Sequence, residues 1–450
     1  MPRETSNSAA NLERLVTRIS SHMAVLKLNI IDPAWHPTLR FGIVLFLTAL
    51  IPVYFWQGIK VYRTRFETLL EVLSVAGCGW QMFFRMYFYL FQQDRCRQIV
   101  QEVRDQRTVY GADRNPRMEK LFRAGTKRML LAYRVIHLMY GTSYFFQLGP
   151  LIMPDPHKCN LPLALQLPFL PPDRNMVYYC INYAHHLLLN TIGVFILLPM
   201  DGVLIVALLN ICTRIAALQL LLEELDAKLG TVQWQQTAHL DAELNRIIEL
   251  HIDTKRFARV IYETYQMHFF FMLSMVCFVI CMCMNVVARD PRSTLIPFGL
   301  ASTGQLFVIC MLGNVLYIVS DRLKDSVYGI RWYRCTVSQQ KRLLFLLANA
   351  QPEIVMGAVF IPVTMTSFVT LDLVHGSQNG QHQQPVNADQ NHYTHEIHDR
   401  DESIVQVPVG RHIMRHLALV YQQAHPDRYL QHDGRCGKAF GEHIEHIQVG

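Results

Sequence analysis

The chain of 450 residues is 51% hydrophobic and 17% charged, and its formal net charge at pH 7 is +7. This composition is too apolar for an ordinary soluble enzyme of that length, and the positive charge lies in polar segments between apolar ones, so it does not indicate a nucleic-acid partner. The sequence contains no phosphate-binding glycine loop, dinucleotide fingerprint or two-histidine zinc helix. We therefore expect an integral membrane protein that is not an enzyme and holds no metal or cofactor.

Seven windows of the chain are long and apolar enough to cross a bilayer. A membrane-spanning helix needs about 20 mostly apolar residues, and the pattern in each window favours a helix. We predict an all-α, seven-transmembrane helical bundle over residues 39–373, with spans from Leu39 to Trp56, Leu69 to Phe91, Met129 to Met153, Leu187 to Leu209, Met267 to Ala288, Leu295 to Val319 and Ile354 to Leu373.

Basic residues between the spans predict which way the bundle faces, because loops rich in Lys and Arg resist translocation. Residues 92–128, between the second and third spans, contain ten of them. The N-terminal segment, residues 1–38, is therefore expected in the cytoplasm, and the seventh span is expected to end outside the cell. The loops after the first, third and fifth spans together contain only Lys60, Arg63, Arg65, Lys158, Arg174, Arg289 and Arg292.

Helical periodicity continues beyond the spans on the predicted inner side. Apolar residues repeat from Ile215 to Leu229 after the fourth span, where Gly230 offers a C-cap, and again from Leu240 to His251 before the fifth span. The segment from Ser338 to Ala350 is too short to cross a bilayer and ends before Pro352. These segments predict a packed layer of cytoplasmic helices beneath the bundle.

The cysteines fall into two groups. Cys277, Cys281 and Cys283 lie in the fifth span, where small core residues are the simpler interpretation. Cys159 and Cys180 instead fall in the same predicted outer loop. Because the outer side of the membrane is oxidising, we predict a disulfide between Cys159 and Cys180 that closes this loop.

The character of the sequence changes after Leu371. The following stretch is rich in Gln, Asn, Asp and His, and 11 of the 20 histidines lie from His375 onward. His392, His395 and His398 are closely spaced, but no defined set of partner ligands accompanies them. We interpret residues 374–450 as a disordered polar tail and assign it no function.

Three charged residues lie inside predicted spans, namely Arg85, Arg134 and Asp201. All three are expected in the inner half of the membrane. A short carboxylate cannot reach the membrane surface, so we predict that Asp201 pairs with one of the two arginines. The longer Arg134 side chain can instead extend to the inner membrane edge.

The stretch from Cys310 to Thr370 carries a series of recognisable residues at fixed positions. They are Gly313, Asn314, Ser320, Leu323, Val327, Tyr328, Trp332, Tyr333, Lys341, Arg342, Leu343, Pro352, Gly357 and Phe368. This pattern resembles the C-terminal third of the insect odorant receptor family, whose seven spans and cytoplasmic N-terminus match the predictions from Leu39 to Thr370. Members of that family normally continue the last span with a Ser-Tyr-Ser-Tyr pattern, whereas Leu371, Asp372 and Leu373 follow here.

The resemblance implies a plasma-membrane subunit of an odorant-gated, non-selective cation channel, assembled as a tetramer with the shared odorant co-receptor. The family's inner helices join the subunits, and its ligand cavity lies in the outer half of the bundle between the second, third, fourth and sixth spans. Such a cavity for a volatile ligand should be mostly apolar with few hydrogen-bonding groups. The candidate ligand-binding residues are Trp80, Tyr144, Phe145, Phe146, Gln147, Asn190, Thr191, Phe298, Ser302 and Gln305.

These candidates carry different weight. Each aromatic side chain has ordinary helix packing or lipid contact as its alternative. An amide in hydrocarbon must find a partner or line a wet cavity, which favours Gln147 and Gln305 as functional groups.

In the resembling family the seventh helix lines the ion pore. Hydroxyl groups there would ease ion passage, and β-branched apolar residues would form hydrophobic gates. The hydroxyls have bonding to their own helix as an equal alternative. The candidate pore residues are Val363, Thr364, Thr366, Ser367, Val369 and Thr370.

A seven-helix G-protein-coupled receptor is the chief alternative. Its Asp-Arg-Tyr and Asn-Pro-x-x-Tyr motifs are absent from the third and seventh spans, and its orientation in the membrane is opposite to the one predicted here. A gustatory receptor of the same superfamily is a closer alternative, although the Thr-Tyr and Gln-Phe of its seventh span are also absent.

Overall fold

The computed structural model of the protein describes residues 6–152, 161, 165–172, 174–231, 237–289, 296–351, 353–358 and 361–368. Cys159, Val369, Thr370 and the tail from 374 to 450 lie outside the described residues, as do the side chains of Phe145, Phe146, Gln147 and Phe298.

Helices dominate the part of the chain that the structure describes. The predicted all-α bundle is confirmed, and each of the first six predicted spans falls on helix. In chain order the elements are α1 Ser6–Val25, α2 Leu39–Ala49, α3 Ile51–Tyr62, α4 Phe66–Phe91, α5 Gln93–Val109, α6 Pro116–Ile152, α7 Met176–Thr231, α8 Thr237–Arg289, α9 Ile296–Tyr328, a 3₁₀ turn Trp332–Arg334, α10 Val337–Ala350, β1 Gly357–Ala358 and β2 Ile361–Pro362.

The first predicted span consists of two helices, α2 and α3, rather than one. The interruption falls at Leu50, and Pro52 occupies the first turn of α3. Because proline has no backbone N–H and its ring clashes with the preceding turn, it is tolerated at the start of a helix but not in its interior. The break is therefore fixed by local sequence.

Four helical stretches of the described chain are long and apolar enough to cross a membrane by length and hydropathy. They are Leu39–Tyr62, Met176–Gly230, Leu240–Ala288 and Gly299–Arg334. The second and third predicted spans lie in α4 and α6, helices of 26 and 37 residues that are also long enough to cross a membrane. Both helices carry charged residues that lower their mean hydropathy, such as Glu71 and Arg85 in α4 and Arg134 in α6.

Large apolar side chains on the bundle surface indicate lipid contact. Leu39, Phe46, Leu131, Leu138 and Leu300 are each more than three-fifths exposed. A soluble protein rarely leaves so many large apolar side chains on its surface, whereas lipid tails are a favourable environment for them.

The predicted inner helices exist, but two of them are continuous with spans. Helix α7 runs without interruption from the fourth span to Thr231, and α8 joins the segment from Leu240 to His251 to the fifth span. The segment predicted from Ser338 to Ala350 forms α10, which begins with a capping box made by Thr336 and Gln339.

Helix α7 forms the centre of the bundle. Residues 196–215 are almost all buried, and α7 packs against α1, α4, α5, α6, α8 and α9. A helix that is apolar on every face is expected to be surrounded on every face. Helix α1 closes part of this surface, because its apolar stripe, which includes Leu15, Ile19 and Met23, is fully buried against α6 and α7.

The seventh predicted span is wrong as a helix over its described residues. Gly357 pairs with Pro362 and Ala358 with Ile361 as an antiparallel β-pair, and the last described residues, from Met365 to Phe368, are helical. Pro362 cannot donate a helical hydrogen bond, and the β-branched residues around it favour extended backbone. We call residues 356–363 the hairpin segment.

The hairpin segment lies against α9 at a glycine. A Cβ atom placed on Gly313 would lie 2.0 Å from the carbonyl oxygen of Val363, which is far inside van der Waals contact. Only glycine permits this approach of backbone to helix. Gly313 therefore sets the distance between α9 and the hairpin segment.

Candidate functional site: a buried polar cluster inside the bundle

Helix α4 carries polar residues on the face that packs into the bundle. Cys78, Gln81 and Arg85 are spaced three and four residues apart, so they lie above one another on one side of the helix. Ser302 and Gln305 repeat at the same spacing on α9, where the Ser302 hydroxyl contacts the Cys78 thiol. Two apolar helices thus present matched polar groups to each other.

The deepest element of this site is an ion pair. Arg85 Nη1 lies 2.5 Å from Asp201 Oδ1, and the two side chains are 2% and 1% exposed. The prediction that Asp201 pairs with a span arginine is confirmed, and the partner is Arg85. Arg134 is exposed on α6, as expected of a side chain that reaches the membrane edge.

The other carboxylate oxygen of Asp201 is also engaged. The Tyr140 hydroxyl, from α6, donates to Asp201 Oδ2 at 2.6 Å. Gln305 Nε2 donates to the Tyr140 oxygen at 2.8 Å and to Asp201 Oδ2 at 3.3 Å, and Gln81 Nε2 donates to Gln305 Oε1 at 3.4 Å. Of the two alternatives stated for an amide in hydrocarbon, Gln305 takes the first, since it finds partners inside the bundle.

We call Gln81, Arg85, Tyr140, Asp201 and Gln305 the polar cluster. Its members come from α4, α6, α7 and α9, so the cluster fixes how four helices are rotated toward one another. A buried network of this kind is stabilising when its groups are satisfied, and leaving one charge without its partner is costly.

Aromatic residues of α4 and α8 surround the arginine end of the polar cluster. The Tyr89 hydroxyl donates to the Met200 carbonyl at 2.7 Å and lies 3.3 Å from the Tyr265 hydroxyl. The His268 ring packs against Phe88, Tyr89 and Tyr265 with centroid separations of 5.3, 6.0 and 5.8 Å. Tyr89 and His268 of this group interact electrostatically with Arg85.

Sequence reasoning missed five of these polar groups, Gln81, Tyr89, Tyr140, Tyr265 and His268. Gln81 and His268 carry a usable signal, since each is a strongly polar residue inside an apolar stretch. The tyrosines carry none, because a tyrosine in a membrane helix is common and its partner is set by the rotation of neighbouring helices.

Three other predicted ligand-binding residues lie on α6 and α7 outside the polar cluster. Asn190 on α7 donates to the Ser143 hydroxyl on α6 at 3.2 Å. Tyr144, the residue after Ser143, is half-buried. The Thr191 hydroxyl donates to the Leu187 carbonyl of its own helix at 2.7 Å.

Trp80 belongs to an aromatic stack between α4 and α8. Its ring stacks on Phe84 at 5.8 Å, and Phe84 in turn stacks on Phe271 at 4.7 Å. This face of α4 is different from the one that carries Gln81 and Arg85. Trp80 thus has a packing role in the described residues.

The predicted pore residues lie in and after the hairpin segment. Val363 is buried beneath Gly313. The Thr364 and Ser367 hydroxyl oxygens lie 3.3 Å apart, and the Ser367 hydroxyl donates to the Pro362 carbonyl at 2.6 Å. Both hydroxyls make local bonds, to the end of the hairpin segment and to each other rather than to the backbone of their own helix, and Thr366 is exposed.

A second polar site ties α5, α7 and α8 together. Arg214 of α7 donates to Asp253 Oδ2 at 3.0 Å and to the Glu102 carbonyl at 3.1 Å. Its guanidinium carbon lies 3.9 Å from the centre of the Phe257 ring. Nearby, Tyr110 and Thr254 share a hydrogen bond of 2.7 Å. Burial raises the pKa of Tyr110 to about 12, so its hydroxyl stays protonated at cellular pH.

The structure also contains a cavity of about 330 Å³ between α1, α5 and α6 on the predicted inner side. Arg104 and Arg107 line it, but Arg104 pairs with Glu13, and Arg107 pairs with Asp113 and Glu119. Because these cations already have anionic partners, this cavity offers less binding chemistry than the polar cluster.

Known proteins resemble this chain in sequence over most of its described length. A family model described as 7tm Odorant receptor matches residues 65–372. Odorant receptor 22c of Drosophila melanogaster is 23% identical over 313 residues, which cover 65% of this chain and 76% of that protein. Odorant receptor 67c of the same species is 22% identical over 263 residues, which cover 55% of this chain and 63% of that protein.

Solved structures share the fold. The insect olfactory receptor OR5 from Machilis hrabei superposes with a TM-score of 0.65 at 12% identity, covering 84% of this chain and all of that one. Its complex with eugenol superposes with a TM-score of 0.66 at 13% identity, covering 82% of this chain and 98% of that one. Because the family match from residue 65 to 372 spans more than half of the chain, the protein belongs to the insect odorant receptor family and is a multi-pass membrane receptor.

Proposed function

We propose that the protein is a subunit of an odorant-gated, non-selective cation channel that assembles with the shared odorant co-receptor in the plasma membrane. The observation that carries this proposal is the course of α9. Gln305 of α9 lies in the polar cluster, and Gly313 of the same helix packs against Val363 of the hairpin segment. These two contacts are separated by about 12 Å, or roughly two helical turns. A ligand that moves α9 at the polar cluster therefore acts on the segment predicted to contribute to the pore.

The ligand is a small volatile molecule that binds among α4, α6, α7 and α9, on the side of the polar cluster that carries Ser302, Tyr144 and Asn190. Matched polar groups on otherwise apolar helices supply the few hydrogen bonds that such a site needs. The related Machilis hrabei receptor has been solved with eugenol, which supports a small-molecule site in this fold.

Three further features complete the proposal. Residues 1–38 lie in the cytoplasm, where the basic residues of 92–128 also lie. A disulfide joins Cys159 of the outer loop to Cys180, which lies near the start of α7 rather than in the loop. The pore is lined by the segment from Val363 to Thr370, and α10 with the inner ends of α7 and α8 joins this subunit to the co-receptor.

Whole-cell recording tests the channel proposal. Cells expressing this chain with the co-receptor should show an odorant-evoked cation current that persists when G-protein signalling is blocked. Cells expressing the co-receptor alone should respond differently to the same odorants. A current abolished by the G-protein block would refute the channel and support a coupled receptor instead.

Orientation is tested by an epitope inserted between Asp113 and Arg114, which are both exposed after α5. Antibody should reach it only after the cells are permeabilised. Labelling of intact cells would place this loop outside and refute the proposed topology. A matched tag in the loop before Met176 should show the opposite pattern.

The ligand site is tested with Gln305→Leu, which removes the hydrogen bonds to Tyr140 and Asp201 but keeps a similar volume. We expect a shift of at least about tenfold in the odorant concentration for half-maximal current, which corresponds to about 1.4 kcal/mol. Gln101→Leu on the exposed face of α5 is the matched control. Equal responses in both variants, at equal surface expression, would contradict the assignment.

A further inference from the structure

We infer that Arg85 recognises the carbonyl oxygen of a neutral volatile ligand, so the receptor prefers ketones, aldehydes and esters over hydrocarbons of the same shape. This inference rests on the proposed function and names the ligand class for its site. It concerns the unused hydrogen-bonding capacity of the polar cluster.

The polar cluster has an excess of donors. Arg85 Nη1 is bonded to Asp201 and the guanidinium also lies near the Tyr140 hydroxyl, but Arg85 Nε and Nη2 are enclosed and complete no hydrogen bond of normal length among the residues that the structure describes. Both oxygens of Asp201 already accept hydrogen bonds, from Arg85 on one side and from Tyr140 and Gln305 on the other. Because a buried donor without an acceptor is unfavourable, a ligand that brings an acceptor oxygen gains more here than one that brings a donor.

The charge of the polar cluster selects a neutral acceptor. Arg85 and Asp201 cancel each other, and both are almost completely buried. A carboxylate ligand would add an uncompensated negative charge to this environment and would lose its own hydration. A carbonyl group accepts a hydrogen bond without that cost.

Aromatic residues close the site on one side of Arg85. Tyr89 and His268 interact electrostatically with Arg85, and Phe88 and Tyr265 pack on the His268 ring. Phe88 and Tyr89 lie beyond Arg85 along α4, whereas Cys78, which contacts Ser302, and Gln81 lie before it. The apolar body of the ligand therefore lies on the Ser302 side, where the proposed site is, and its oxygen points toward Arg85.

Access to Arg85 is easiest at the longest hydrogen bonds of the polar cluster. Gln81 is joined to Gln305 at 3.4 Å, and Gln305 to Asp201 at 3.3 Å, both near the upper limit for such bonds. When α4 and α9 separate at this point, Gln305 keeps its 2.8 Å bond to Tyr140. Opening here exposes the face of Arg85 that is not occupied by Asp201, and it moves α9.

The inference is tested with probe pairs that differ only in the carbonyl oxygen. We choose 2-heptanone and 2-methyl-1-heptene, in which a methylene group replaces the oxygen, and add heptanal, methyl hexanoate and hexanoic acid. In cells that also express the co-receptor, the half-maximal concentration for the ketone should be lower than for the hydrocarbon by about tenfold or more. Hexanoic acid in its ionised form should be a weaker agonist than methyl hexanoate.

The decisive variant replaces both members of the ion pair, Arg85→Met with Asp201→Met. Replacing a buried ion pair by apolar side chains of similar size is often tolerated, so this double variant should reach the cell surface. We expect it to lose the preference for the ketone, so that the half-maximal concentrations of the ketone and the hydrocarbon become similar. Arg134→Met, an exposed arginine on α6, is the matched control and should keep the wild-type preference.

Three results would overturn the inference. They are a double variant that keeps the ketone preference, a wild type that shows no preference, and a wild type that responds to none of the probes. A broad mixture of other odorants then tests the proposed function separately. A current evoked by that mixture would support the channel proposal even if the ligand-class inference failed. If the double variant does not reach the surface, Arg85→Lys is measured instead. Lysine keeps the charge opposite Asp201 but lacks the guanidinium donors, so the preference for the ketone should again be lost.

Discussion

Removing Asp201 alone should be more damaging than removing the whole ion pair. In the substitution Asp201→Leu, the Arg85 guanidinium keeps its charge at a site that is 2% exposed, and it loses the carboxylate 2.5 Å away. Tyr140 and Gln305 lose an acceptor at the same time. The double variant Arg85→Met with Asp201→Met leaves no buried charge.

The expected magnitudes differ clearly. Breaking one partner of a buried ion pair costs about 3–5 kcal/mol, whereas replacing the pair by apolar side chains is often neutral. Since each 1.4 kcal/mol is a factor of ten, Asp201→Leu should lower the folded-to-unfolded ratio by roughly 10² to 10⁴. Whole domains have stabilities of about 5–15 kcal/mol, so this loss is a large part of the total and should lower the amount of protein at the surface several-fold or more.

Two assays measure the difference. Fluorescence-detected size-exclusion chromatography of heated detergent extracts reports the midpoint of thermal aggregation, and surface biotinylation reports trafficking. The expected order is wild type, then the double variant close behind, then Asp201→Leu well below both. If Asp201→Leu matched the double variant in both assays, the pair would not be a buried charge that needs its partner, and the polar cluster would lose its physical basis.

Further substitutions probe the contacts around the polar cluster and the inner helices. Gly313→Ala should reduce odorant-evoked current, because the added Cβ would lie 2.0 Å from the Val363 carbonyl oxygen. Patch clamp at matched surface expression measures the current. Gly141→Ala is the control, since its Cβ would meet nothing within 4 Å. Thr336→Ala should destabilise the protein by about 1 kcal/mol through loss of the α10 cap, measured as a lower midpoint of thermal aggregation. Tyr110→Phe should cost about 1 kcal/mol in the same assay, since it removes a buried hydrogen bond to α8; an unchanged midpoint would contradict that role.

Much of the fold is readable from local sequence. The first six spans, the inner extension of α7 and the helix α10 follow from the length and period of apolar residues, which depend on neighbours along the chain. The expectation that Asp201 needs a cationic partner follows from the cost of a charge in hydrocarbon. The resemblance carried by Gly313, Trp332 and related positions led to the same family as the match over residues 65–372.

The prediction for the seventh span failed for a local reason that hydropathy cannot detect. A window average from Ile354 to Leu373 counts apolar residues but not the missing N–H of Pro362 or the extended preference of β-branched neighbours. Gly313 adds a second condition that lies more than 40 residues away in the sequence, since its bare backbone lets the hairpin segment pack against α9.

The sequence by itself determined that the chain crosses a membrane in apolar helices and that a charge at position 201 requires compensation. Only the tertiary structure decided that the partner is Arg85 rather than Arg134, and that Tyr140, Gln81 and Gln305 complete the network. The physical reason is that hydrophobicity places a residue at a depth in the membrane, but says little about which way its side chain points around the helix axis. That direction is set by how α4, α6, α7 and α9 rotate against one another when they pack, and hydrogen bonds within the bundle exist only after that rotation is fixed.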